Sequence, residues 1–286
     1  MSARVRLPLL AGIALGIPVL LASAENAAGA SRPAHIGEFL VYYGKDEREQ
    51  VASYHIAVLN SEFGVPPPHR RAGMWLGYLS LGEVERGRDY FAEVEREGLL
   101  FESNPNWPNA RLIDLRAARW RERVVEQLIP AILARGCNGV FFDTLDDAEA
   151  AEVRDPSRNA GMIDGAARLI RSVRQRFPNL PIMINRGYAV LPRIAGQFDM
   201  LLGESVRTTF DAKTKTYQMV SNDGYLWQTQ KMREARERDP RLRLFSLDYW
   251  DPQDRNGLVR IYAEERANGF VPYVGTFDLT RIIPEP

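Results

Sequence analysis

Cysteine occurs once in these 286 residues, at position 137, so no internal disulfide is available and the fold must rest on its core. Cys137 follows Gly136 beside an apolar run, and no histidine is placed near it in a recognisable pattern, so it reads as a small buried hydrophobe. Net charge is also lacking: 37 basic residues balance 37 acidic ones, which offers no electrostatic hold on nucleic acid or an anionic membrane surface. Histidine is scarce. His35, His55 and His69 form no His-x-x-His or clustered Cys/His spacing, so no zinc site, and more generally no metal or cofactor, is expected. Lys45, Lys213, Lys215 and Lys231 all fall outside the apolar runs, where a Schiff-base aldolase would carry its lysine. With 45% hydrophobic and 26% charged residues the composition is that of a globular protein, which excludes wholesale disorder.

The chain also has no apolar run long enough for a membrane span. Leu7 to Ala22 is 16 residues with Pro18 inside it, against the ~20 that a span needs. Two arginines precede the run and Ala22-Ser23-Ala24 closes it with small residues, which is the pattern of a cleaved signal peptide. Residues 1–24 are therefore read as an export signal, with a secreted or periplasmic product and no membrane attachment after cleavage. Residues 25–286 are read as one domain.

What is present is a series of short apolar runs. Phe39–Tyr43, Ile56–Leu59, Trp75–Leu81, Val140–Phe142, Ile182–Ile184, Met200–Leu202, Leu242–Leu247 and Val271–Val274 are eight candidate strands. Helical spacing lies between several of them: over 117–135, with Asp114 as a possible cap and Gly136 as a stop, over 162–177, and over 258–268. Eight strands alternating with helices in about 260 residues predict an α/β fold, a single-domain (β/α)₈ TIM barrel. Residues 101–110 and 208–224 read as long loops over one face.

In such a barrel the chemistry is built where strands finish. The polar residues ending the runs are Tyr43, Asn60, Ser80 with Glu83, Asp143, Asn185, Glu204, Asp248 and Thr276, a ring rich in carboxylates and poor in cations. After the last two runs stand Asp248-Tyr249-Trp250-Asp251 and Gly275-Thr276-Phe277; aromatics beside acids suit a sugar better than a phosphate. Asp143 and Glu204 end the fourth and sixth strands. With strands ~4.8 Å apart their backbones would stand ~10 Å apart, and inward-leaning side chains would close much of the gap. Two facing carboxylates are the equipment of glycoside hydrolysis, one protonating the leaving oxygen and the other attacking carbon or activating water. On spacing alone, the rival reading is that both merely cap the helices that follow.

Gly139-Val-Phe-Phe-Asp-Thr-Leu-Asp146, Gly77-Tyr-Leu-Ser-Leu-Gly-Glu83, Ile184-Asn-Arg-Gly187 and Gly203-Glu204-Ser205 together resemble the pattern of glycoside hydrolase family 114, the endo-α-1,4-polygalactosaminidases, across nearly all of residues 25–286. The resemblance implies the barrel and cleavage of α-1,4-linked galactosamine in exopolysaccharides such as Pel or galactosaminogalactan. It places the catalytic pair at Asp143 and Glu204, with Asp143 as nucleophile and Glu204 as acid/base by analogy with other α-retaining barrels. A partly deacetylated polymer carries ammonium groups that an acidic mouth attracts and rings that aromatics stack on. Tyr43, Tyr78, Glu83, Asn185, Asp248 and Tyr249 are accordingly the candidate substrate-binding residues. Two other readings stay open: a barrel that binds exopolysaccharide without cleaving it, and an α-glycosidase for a different sugar.

Overall fold

All eight apolar runs are strands. The computed structural model describes residues 37–60, 66, 73–104 and 107–286; the segment read as a signal peptide, with His35 and His69, lies outside the described residues. The strands are β1 (Gly37–Tyr42), β2 (Tyr54–Leu59), β3 (Met74–Ser80), β4 (Gly139–Asp143), β5 (Ile182–Asn185), β6 (Met200–Glu204), β7 (Arg243–Tyr249) and β8 (Val271–Gly275). They form one sheet in that order, every pair parallel. β8 and β1 lie side by side at the closure. The result is a (β/α)₈ barrel.

Burial on both faces explains why the strands read as unbroken apolar runs. Val140 and Phe142 of β4 face the helices, in one cluster with Ile182, Ile184, Leu201 and Leu244. Phe141 faces inward with Met183, Met200, Leu202, Phe245 and Leu247. With a side-chain period of two, the last inward positions of these strands fall at Asp143, Asn185, Glu204 and Tyr249.

The principal helices are α1, which runs Ala118–Arg123, through a π-helical turn Val124–Leu128, into Ile129–Ala134; α2 (Asp147–Arg154); α3 (Met162–Arg176); α4 (Asn222–Arg238); and α5 (Arg255–Ala267). The π turn lies beside Pro130, whose missing N–H breaks the regular hydrogen-bond ladder. Asp114 does not cap α1. The N-cap is Ala117, while Asp114 accepts from the Arg116 amide at 2.9 Å and its Nε at 2.8 Å.

Neither long segment is a plain loop. Within the first, Leu100–Ser103 and Ala110–Ile113 pair antiparallel and join Glu83–Glu85 in a three-stranded sheet. Within the second, Thr208–Asp211 and Thr216–Met219 make a hairpin, and α4 begins at Asn222 with Ser221 as its cap. The sheet-facing residues of α4 are Gln228, Thr229, Met232 and Ala235, while Leu226 and Trp227 are exposed. Half of its buried stripe is polar, which hid it from a hydrophobic-period reading.

Candidate active site

At the mouth, strand alternation brings five of the predicted residues into one hydrogen-bonded group. Tyr78 Oη donates to Asp143 Oδ2 at 2.9 Å. Asn185 Nδ2 donates to Asp143 Oδ1 at 2.9 Å and to Glu204 Oε2 at 2.6 Å. Tyr249 Oη donates to Glu204 Oε1 at 2.6 Å. Only the amide nitrogen can face two carboxylates, which fixes the orientation of Asn185. The Asp143 and Glu204 oxygens that share it are therefore no farther apart than the two bonds of 2.9 and 2.6 Å laid end to end, about 5.5 Å. Tyr43 joins through its ring, 5.4 Å from that of Tyr78 and edge-on to it.

The backbone leaves each of these strands sharply. Thr144, Arg186 and Ser205, the residues directly after Asp143, Asn185 and Glu204, have φ of 63°, 50° and 52°. None is glycine, and each such conformation costs on the order of 1–3 kcal/mol, so it persists only where the surroundings over-determine it. Here they do. The Thr144 amide donates to Asp143 Oδ1 at 2.8 Å. Its hydroxyl donates to the Asp143 carbonyl, accepts from the Gly82 amide and bonds the Ser80 hydroxyl. The Arg186 amide reaches the Leu202 carbonyl and the Ser205 amide the Leu247 carbonyl, so each turn is tied to the neighbouring strand. Sequence reading missed these turns, because Thr, Arg and Ser carry no signal for a left-handed conformation. It also missed Gln228, which donates to the Glu204 carbonyl from α4 at 3.1 Å.

Two predicted residues lie elsewhere. Asp248 is fully buried, because its neighbour Tyr249 takes the inward position and alternation turns Asp248 to the helix side. Its carboxylate accepts from the Arg207 and Thr208 amides. Glu83 is buried in the three-stranded sheet, hydrogen-bonded by Asn104 and paired with Asp147 at the start of α2. Of the other aromatics, Trp107 is exposed and the Trp250 indole donates to Asp254. A ring-to-ring seam runs outward from Tyr249 to Phe277 (5.6 Å) and on to Phe210 (4.7 Å, stacked), which seats the 208–219 hairpin beside the mouth.

Burial, then the charge of Glu204, pushes Asp143 up to about 6, against the donors Asn185, Tyr78 and the Thr144 amide that pull it down. Tyr43, Tyr78 and Tyr249 are all held well above the usual phenol range, first by burial and next by the nearest carboxylate, so they stay protonated donors. Asp147 rises to about 9 through burial and the charge of Glu83, and burial also raises Glu83. Among the described residues no group of three His, Cys, Asp or Glu side chains is placed to hold a metal ion. No helix among them is long and apolar enough to cross a membrane.

The profile of glycoside hydrolase family GH114 matches residues 22–284. Among solved structures, the chain is similar to the glycoside hydrolase domain of PelA from Pseudomonas aeruginosa, with 22% identity and a TM-score of 0.74 over 87% of this chain and 98% of that one. It is similar to Ega3 of Aspergillus fumigatus, solved in complex with galactosamine, with 14% identity and a TM-score of 0.58 over 90% of this chain and 98% of that one. A Thermus thermophilus α-galactosidase shares the fold at 12% identity and a TM-score of 0.53, over 88% of this chain and 60% of that one. No curated protein matches the sequence.

Proposed function

The chain belongs to glycoside hydrolase family GH114, and on that premise we propose that it is an exported retaining endo-glycosidase acting on α-1,4-linked galactosamine polymers of the Pel or galactosaminogalactan kind. The observation that carries the mechanism is the single Asn185 nitrogen bonded to both carboxylates. A separation near ~5 Å suits a nucleophile and an acid/base; an inverting pair stands wider, at roughly 6.5–9.5 Å, to admit a water. Asp143 has three donors on its two oxygens, from Tyr78, Asn185 and the Thr144 amide, which favours the ionised form a nucleophile needs. Glu204 has Tyr249 and Asn185.

In the first step an Asp143 oxygen bonds to the anomeric carbon as the glycosidic C–O bond breaks, and Glu204 gives its proton to the departing oxygen. In the second, Glu204 takes a proton from water, whose oxygen displaces Asp143 from the same carbon. Tyr78 and Tyr249 orient the two carboxylates throughout.

The substrate preference is supported by a surplus of acceptors at the mouth. Asn185 Oδ1, buried beside the pair, has no hydrogen-bond partner, so the lining carries more acceptor oxygens than donors, which favours a cationic sugar. The galactosamine in Ega3 points the same way. Export rests on the N-terminal run.

Asp143→Asn and Glu204→Gln should each abolish release of reducing ends from partly deacetylated galactosaminogalactan while the circular dichroism spectrum stays that of the parent. Full activity in either variant would sink the assignment. The wild-type product, followed by proton NMR, should first appear with the α-configuration retained. Cleavage confined to other α-linked polysaccharides in a panel would preserve the mechanism and overturn the substrate.

A further inference from the structure

Behind β7, on the side turned from the mouth, lies a second pair of carboxylates. Asp248 of β7 and Glu265 of α5 both have 0% exposure. Glu265 extends the buried stripe of Leu258, Ile261 and Tyr262 by which α5 packs on the sheet. Four oxygens here, Ser246 Oγ, Asp248 Oδ2 and both of Glu265, are buried without a well-formed hydrogen bond, and only the nearby Ser246 hydroxyl and the more distant Arg207 charge draw Glu265 down. Such an arrangement is costly, and a fold that keeps it needs a reason.

The other Asp248 oxygen supplies one. Oδ1 accepts from the backbone amides of Arg207 and Thr208, each at 2.7 Å, and more weakly from the Thr208 hydroxyl at 3.4 Å. Those amides belong to the segment that leaves Glu204 through the left-handed turn at Ser205. The Arg207 guanidinium is held by Glu264 of α5 at 2.5 Å, and its charge also draws down Asp248 and Glu265. We propose that Asp248 is a positioning residue for the glycosidase reaction: its carboxylate clamps the Arg207 and Thr208 amides and thereby sets the direction from which Glu204 enters the mouth. The assignment rests on the catalytic reading of Glu204 given above. Glu265 makes the clamp tolerable in an apolar layer by keeping a proton. Burial raises Asp248 to about 7, against the amide donors, and burial with the charge of Asp248 raises Glu265 to about 8.

The test compares the wild-type chain with Asp248→Ala and Asp248→Asn by two readouts: kcat and KM on a polymer the wild type cleaves, and a ¹³C-carboxyl NMR titration of Glu204, which needs no substrate. In D248A, kcat should fall by about tenfold or more with KM within about twofold, because a misplaced acid/base loses rate and not binding. The Glu204 midpoint should move as well. D248N keeps an acceptor oxygen but loses the charge assistance, so both effects should be smaller and in the same direction. A folded D248A with wild-type kcat and an unmoved Glu204 midpoint overturns the proposal, whatever its loss of Tm. If D248A does not fold, D248N decides by the same criterion. A wild type that cleaves nothing defeats the functional reading instead, and the titration still answers whether Asp248 orients Glu204.

Discussion

Asp143, the proposed nucleophile, illustrates how much of a carboxylate's character comes from its immediate donors. Burial and Glu204 raise it to about 6, and the Tyr78 hydroxyl is one of the groups holding it down. In its proposed role as nucleophile it must be ionised, so kcat/KM should climb with pH through an acidic limb near 6. Tyr78→Phe removes a bond to the charged form, which raises the Asp143 pKa further and should move that limb to higher pH in a pH–rate profile. An unmoved limb would assign it to a different group. The residues that aim the pair are less conspicuous in sequence. Asn185, Tyr78 and Tyr249 could be nominated as polar or aromatic side chains at strand ends, but nothing about Thr144, Arg186 or Ser205 announces a left-handed turn, since neighbouring strands impose it. Asp248 was nominated for the mouth and faces the opposite way, because a shift of one position along a strand exchanges its two faces.

At the scale of elements, close packing of α1 on β3 depends on Gly77. A Cβ built there would stand 2.3 Å from Ile132 Cγ2, a methyl already buried in the core. Gly77→Ala should therefore destabilise the protein by about 1–3 kcal/mol through overpacking, measured as a lower urea midpoint with an unchanged m value. The barrel strands were legible because each is a run of three or more apolar residues cut off by polar ones, and α3 was legible because Ala166, Leu169, Ile170 and Val173 recur at helical spacing. The strands at 100–103 and 208–219 were not, because they pair outside the barrel core and leave most side chains half-buried or exposed, which erases the alternation that marks a strand; 110–113 is mostly buried but only four residues long, with Arg111 inside it.

At the scale of the whole molecule, a protein without net charge still stores a set of buried and half-buried acids. Asp147, Asp248 and Glu265 sit at about 9, 7 and 8 when folded, against an ordinary carboxyl near 4 when unfolded. Between these limits the folded chain keeps protons that the unfolded chain has released. Their contribution to stability is full below the unfolded value and is lost as pH rises toward about 9. Thermal unfolding should accordingly give a Tm that falls from mildly acidic to alkaline pH, and Glu265→Gln should flatten that slope by removing one of the groups; a Tm that rises over this window would contradict the buried placement. The sequence by itself determined the barrel, through the number and spacing of its apolar runs, and it marked Asp143 and Glu204, because a carboxylate directly after a buried strand has few other places to go. Only the tertiary structure decided that one Asn185 amide joins the pair, that Tyr78 and Tyr249 each serve one carboxylate, and that Asp248 and Glu83 lie outside the group. Those relations join residues on different strands, and the stagger and facing of the strands exist only once the sheet has closed.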